Sequence, residues 1–198
     1  PPQHLRKVEK MRILKKLSAL LGLLLAAGLI SGCAGNVVKL NYVPTGAMLQ
    51  STGKQVTLLE LEDRRPNTAG IGERKDGELF TGDARVTDWA SRALADEFIR
   101  LGVGVYYAGE GLSSPNAPVL SGSVDTLWLK ETGNTSYEVE IKITLVLSDS
   151  RGKRIHQESF WGQQTLRAFP SESKFSELMA DALHDVAAPA AQAMSRKF

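Results

Sequence analysis

Three groups of residues have types and spacing that could do chemistry. His156 stands two positions from Glu158, and residues two apart in a strand share one face, where an imidazole and a carboxylate can exchange a proton. The same spacing equally suits an ordinary exposed polar pair. Asp63-Arg64-Arg65-Pro66 sets two permanently charged guanidiniums beside a turn former. Either Arg64 or Arg65 could grip a phosphate or carboxylate bidentately, on a partner or a lipid. The bland alternative is a turn in which Asp63 bonds its own backbone, Pro66 sets φ and both arginines are solvated. Trp161, flanked by Phe160 and Gly162, is the candidate for an exposed aromatic contact, with a core position as the competing reading; Trp89 and Trp128 are expected in the core.

Much chemistry is absent from the sequence. His184 precedes Asp185, but adjacent helical residues point about 100° apart and cannot form a dyad. No HExxH, CxxC, GxSxG or GxxxxGK[ST] motif occurs, and Gly102-Val103-Gly104 opens a strand rather than a helix, unlike a dinucleotide fingerprint. One cysteine excludes an intramolecular disulfide and any cysteine-cluster metal site. The expectation is a non-enzymatic chain with no catalytic residue, no metal and no cofactor.

That cysteine, Cys33, would by itself read as a small buried hydrophobe. Its surroundings point elsewhere. From Met11 a short basic region (Arg12, Lys15, Lys16) precedes an apolar run from Leu17 to Ile30 that ends in small residues, the layout of a secretory signal peptide. As a helix at about 1.5 Å per residue this run reaches roughly 21 Å, short of a ~30 Å hydrocarbon core. Ile30-Ser31-Gly32-Cys33 resembles the lipobox of bacterial lipoproteins. The resemblance implies cleavage before Cys33, diacylglycerol on its sulfur and acylation of the new amino group, with several chains giving stable anchoring. In such lipoproteins of Gram-negative cells an Asp after the cysteine favours inner-membrane retention. Ala34 stands there, so the expected location is the periplasmic face of the outer membrane, with the inner membrane second.

Cleavage would also change the charge. Residues 1–32 hold six of the 24 Lys and Arg and one of the 22 acids, so the chain's +2 becomes about −3 in residues 33–198. The remaining charge is mixed, without a basic stripe, and nucleic acid is not an expected partner.

The elements that would position these residues follow from periodicity. Residues 1–32 are read as leader and signal peptide, 33–54 as lipidated cysteine and tether rich in Gly, Asn, Ser and Thr, and 55–198 as one domain. A buried strand is expected at 55–62 and a long polar loop from about 63 to 83. A helix follows, with Val86, Trp89, Ala90, Ala93, Leu94 and Phe98 on one stripe, Asp83 as its cap and Gly102 past its end. Strands are expected at 103–109, 118–131 (broken up by Gly122), 137–147 and 154–166. The third of these alternates strictly, with Tyr137, Val139, Ile141, Ile143, Leu145 and Leu147 on one face. A last helix spans about 171–194, with Pro189 kinking it or splitting off a turn. The order β-α-β-β-β-β-α predicts an α+β two-layer sandwich: a mostly antiparallel sheet of about five strands with two helices on one face.

With its elements placed, the chain over about 50–192 resembles the YajG family of envelope lipoproteins. The likeness lies in VTLLELEDRRPN, ALADEFIRLGVGV and SYEVEIKITLVLSDSRGKRI, followed by a closing helix. It implies a membrane-anchored binding or assembly module whose partner is an unknown envelope protein or lipid, and it supplies no catalytic residue. More distantly the layout is similar to auxiliary lipoproteins of ABC-type lipid-transport systems, an analogy of fold.

Overall fold

The computed structural model describes residues 35–169 and 171–198. The expected signal peptide, with Ile30, Ser31 and Gly32, and the expected lipidation site Cys33 followed by Ala34 lie outside the described residues. The folded unit runs from Asn36 to Phe198.

Three long strands dominate it: β7 (Val119–Gly133), β8 (Ser136–Ser148) and β9 (Arg154–Arg167), joined as an antiparallel meander. The alternation in β8 sends Tyr137, Val139, Ile141, Ile143, Leu145 and Leu147 inward, all at most 1% exposed, and Glu138, Glu140, Lys142 and Thr144 outward. Along the other edge of β7 three short strands dock in succession, all parallel to it: β2 (Gln55–Leu58), β3 (Glu62–Asp63) and β4 (Gly72–Glu73). β4 turns back into β5 (Leu79–Gly82), which pairs in parallel with β1 (Val37–Val38), and β2 pairs in parallel with β6 (Gly104–Tyr107).

The expected five-stranded, mostly antiparallel two-layer sandwich is therefore corrected. Among the described residues the sheet has nine strands, is mixed, and curls into a half-barrel around two helices, α1 (Val86–Arg100) and α2 (Glu172–Ser195). The physical reasons are local. β1, β3 and β4 are two residues each, too short for alternation to register. The stretch 63–83, expected as one loop, holds β4 and β5 joined by a turn at Asp76-Gly77, where Gly77 has φ +87° and the Glu78 N–H donates to Asp76 Oδ1. Nor does Gly122 break β7. A Cβ there would come within 2.2 Å of Thr144 O, so the glycine lets β8 pass close. A bulge at Asp125 then shifts the inward phase from Leu120 and Val124 to Leu127 and Leu129, which hides the period of two.

One apolar cluster joins the inner sheet face to both helices. Phe175 of α2 sits edge-on to Tyr137 at 4.8 Å and to Phe80 at 5.2 Å between ring centroids, the favoured geometry for such rings. Gly162 of β9 is where α2 comes down on the sheet: a Cβ there would stand 2.9 Å from Val186 Cγ2 and 3.0 Å from Ala182 O. α2 begins at Ser171, whose Oγ accepts the Lys174 N–H, and continues unbroken past Pro189. α1 is not capped by Asp83. The Oδ1 of Asp83 accepts the Leu40 N–H instead (2.9 Å), and Arg85 fills the cap position without a side-chain bond. Gly102, at φ +75°, follows the helix end.

Residues 36–54, expected as a tether, lie on the domain. Val38 and Leu40 are buried in the core, Trp89 Nε1–H donates to Asn41 O (3.1 Å), and the Leu49 N–H donates to Arg100 O (2.7 Å). Glu97, fully buried, accepts from Tyr42 Oη (2.6 Å) and from Arg100 Nε (2.7 Å). Burial and the neighbouring Glu97 raise the Tyr42 hydroxyl well above the ordinary tyrosine value, so it stays a donor. His184 does not meet Asp185: its Nε2 lies 2.5 Å from Thr45 Oγ1, while Asp185 accepts from Gln164 Nε2.

Candidate functional site

The outward face of β7–β9, opposite the helices, carries Trp161 and Trp128, with the Arg65 loop beside them. Its organiser is Arg65. A short β3 ending at Asp63 puts carboxylate and guanidinium two residues apart on a turn. Arg65 Nε donates to Asp63 Oδ1 (2.9 Å), Nη2 to Oδ2 (2.8 Å) and the backbone N–H to Oδ1 (3.2 Å). Nη1 reaches on to Gly70 O (2.9 Å). The side chain is 5% exposed, so this bidentate bond, with the Gly70 link, clasps the 63–70 loop. The Arg65 bond holds the Asp63 carboxyl below the usual carboxylate range. The guanidinium thus spends its fork on its own chain. Arg64 is the exposed one, paired with Glu62 at 2.6 Å. An exposed pair of this kind contributes little, so an incoming anion could displace Glu62.

Arg65 lines two clefts. One, of about 340 Å³, is bounded by Pro66, Asn67, Thr126, Trp128 and Glu140. The other, of about 390 Å³, lies toward Thr81, Arg85 and Thr87. The first opens on the outward sheet face. Trp128 of β7 pairs directly with Glu140 of β8. Trp161 of β9, 56% exposed, donates its indole N–H to Glu140 Oε1 (2.9 Å). The two tryptophans therefore flank one carboxylate, with the Arg65 loop on the far side of Trp128. Beyond Trp161 runs a polar row: Ser123 Oγ donates to Asp125 Oδ1 (2.7 Å), Thr144 Oγ1 to Asp125 Oδ2 (2.5 Å), and Ser159 Oγ lies 2.7 Å from Thr144 Oγ1.

Sequence reasoning singled out Arg65 and Trp161 but placed Trp128 in the core and passed over Glu140 and Asn67. A signal was present: Trp128 lies between Leu127 and Leu129, both at most 2% exposed, so a period of two sends it to the opposite face. Trp89 is in the core, 4% exposed. His156 and Glu158 face each other at 3.0 Å on the surface of β9, away from the tryptophans. Among the described residues no cluster of three or more His, Cys, Asp or Glu has metal-holding geometry, and no helix is long and apolar enough to cross a membrane.

No family model and no curated protein matches the sequence. Solved structures do match in fold. A Xanthomonas campestris protein of the DUF330 family superposes with TM-score 0.53 at 12% identity, covering 80% of this chain and 96% of that one. An uncharacterized protein gives 0.55 at 12% identity, covering 80% and 99%. A minor lipoprotein from Acinetobacter baumannii gives 0.46 at 16% identity, covering 72% and 93%. The chain shares its fold with the first two.

Proposed function

We propose that this chain is a lipid-anchored protein of the bacterial envelope, similar to the YajG family, whose domain is a non-enzymatic binding or assembly module. The lipobox at Ile30-Ser31-Gly32-Cys33 supports the anchor, and Ala34 supports the outer membrane's periplasmic face as its destination. One observation carries the binding role: Trp161 is 56% exposed on a sheet face that it shares with Trp128, Glu140 and the Arg65 cleft. A large aromatic side chain exposed beside a cleft with a few fixed polar groups is the composition of a recognition surface.

The anchor would also restrict the module. Asn36 opens the folded unit three residues after Cys33, a reach of at most roughly 11 Å at about 3.6 Å per residue. The domain would start close to the bilayer. Direct carriage of lipid by the domain would need an apolar groove between sheet and helices, and there Ile141, Ile143, Leu183 and Val186 are completely buried. An accessory that only assembles a lipid transporter is a case of the same binding module.

Two experiments test this reading. Labelled palmitate should enter the full chain and be lost in Cys33→Ser, with the protein leaving the membrane fraction. Pull-down from crosslinked membranes should recover a protein or lipid that Trp128→Ala loses; recovery of nothing above background contradicts the binding role.

A further inference from the structure

Residues 40–53 carry no Asp, Glu, Lys or Arg, and the two charges that bracket them, Lys39 and Lys54, are both basic. The stretch forms no strand or helix of its own and follows α1 instead. The Leu40 N–H donates to Asp83 just before the helix, and Asn41 O accepts from Trp89 in its first turn. Farther on, Tyr42 Oη donates to Glu97 and the Leu49 N–H to Arg100 O, near the helix end. These bonds fix the inner side of the stretch and leave Val43, Met48 and Leu49 exposed, Met48 at 71%. α1 adds Ile99 from its solvent side and the loop after β6 adds Leu112, both exposed.

Ile99 stands between two clefts. Pro44 and Met48 line one, of about 350 Å³, and Val105 and Leu112 line the other, of about 180 Å³. The guanidiniums at their walls are spent on the protein itself: Arg92 donates to Asp88 and Glu110, and Arg100 to Glu97. Asp96 touches both clefts, and burial raises its carboxyl. An exposed apolar surface with a polar rim marks contact with a protein or a membrane.

We propose that this flank, residues 43–49 with Ile99 and Leu112, rests on the bilayer and sinks its apolar side chains into the headgroup layer, a second membrane contact beside the lipid on Cys33. The inference rests on the lipid anchor proposed above, and that anchor selects a membrane rather than a protein as the occupant. Cys33 lies within roughly 11 Å of Asn36 at about 3.6 Å per residue. Val37 and Val38 then pair with β5, and from Leu40 onward the chain is laid along α1. The uncharged stretch is therefore the first long exposed surface after the anchor. An acyl anchor and an apolar patch reinforce each other at a bilayer, and basic residues beside the patch favour anionic headgroups. The flank is on the helix side of the sheet, so the outward face with Trp128 and Trp161 stays free for the binding role.

The test uses the full lipidated chain in vesicles of phosphatidylethanolamine and phosphatidylglycerol, with a spin-labelled phosphatidylcholine as quencher. Lipid on its sulfur blocks Cys33, so an environment-sensitive dye attaches only to an introduced cysteine. Dye on Met48→Cys or Leu112→Cys should shift to the blue and be quenched by the spin label. Dye on Thr165→Cys, outward on the edge strand β9, should do neither. Adding Met48→Glu to Leu112→Cys should remove most of the quenching while the chain still floats with the vesicles. Flotation without quenching at either position overturns the inference and leaves the anchor standing. So does equal quenching on Thr165→Cys, or a blue shift that the spin label leaves untouched, which would mean that a protein or a second copy covers the flank. Dye uptake at Cys33 by the wild-type chain overturns the anchor and the inference with it.

Discussion

Replacing Arg65 by methionine keeps a long apolar stem but removes the guanidinium that closes the 63–70 loop. The wild-type side chain makes two bonds to the Asp63 carboxylate and one to Gly70 O, at 2.8–2.9 Å. A hydrogen bond to a charged group contributes roughly 1.5–3 kcal/mol, and breaking a buried ion pair from one side costs about 3–5 kcal/mol. Asp63 retains 30% of its side-chain surface, so water recovers part of that loss. The expected destabilisation of Arg65→Met is about 2–3 kcal/mol, read as a lower urea midpoint at unchanged m-value by circular dichroism. Its pH dependence carries a definite sign. The pairing depresses the Asp63 carboxyl in the fold, so the stabilisation is fully present above the unfolded value of about 3.9 and lost as pH falls through the folded one. The gap between wild type and variant should be constant near neutrality and close below about pH 4. A loss under about 0.5 kcal/mol, or a gap that persists in acid, would refute the clasp.

Two further outcomes follow from the same structure. Gly162→Val drives new atoms into Val186 and Ala182, and overpacking of this kind should cost about 1–3 kcal/mol, measured as a lower melting temperature. Asp96 is half-buried on α1, and burial raises its carboxyl. The fold then weakens as pH rises through that carboxyl's range, so Asp96→Asn should be more stable than wild type near neutrality and lose that advantage in acid; an Asn variant that is less stable at neutral pH contradicts this.

How far the sequence revealed this molecule depended on element length. β8 and the two helices are long enough for their periods to show, and Tyr137 to Leu147 point where alternation sends them. β3 and β4 are two residues each and take their direction from β7 rather than from a pattern of their own, so a mixed half-barrel read as a smaller antiparallel sheet. The bulge at Asp125 compounded this by changing the inward phase in mid-strand. Within the tether expected over 33–54, Val38, Leu40 and Tyr42 bind the stretch 36–54 to the domain, which a composition rich in Gly, Asn, Ser and Thr does not show. At the site, Arg65 could be recognised as able to hold an anion, but nothing in a linear sequence shows that its anion is Asp63. Trp128 was within reach from its leucine neighbours.

The central claim is that the outward face of β7–β9 recognises another envelope component. A photo-crosslinking phenylalanine analogue placed at Trp128 reports on it most directly, because the position sits two strands in from the open edge and beside the Arg65 cleft. The control is the same analogue at Asp181, exposed on α2. Irradiation of intact cells should give a crosslinked species containing a second component from position 128 and none from position 181. Equal yields from both positions, or none from 128, would contradict the account.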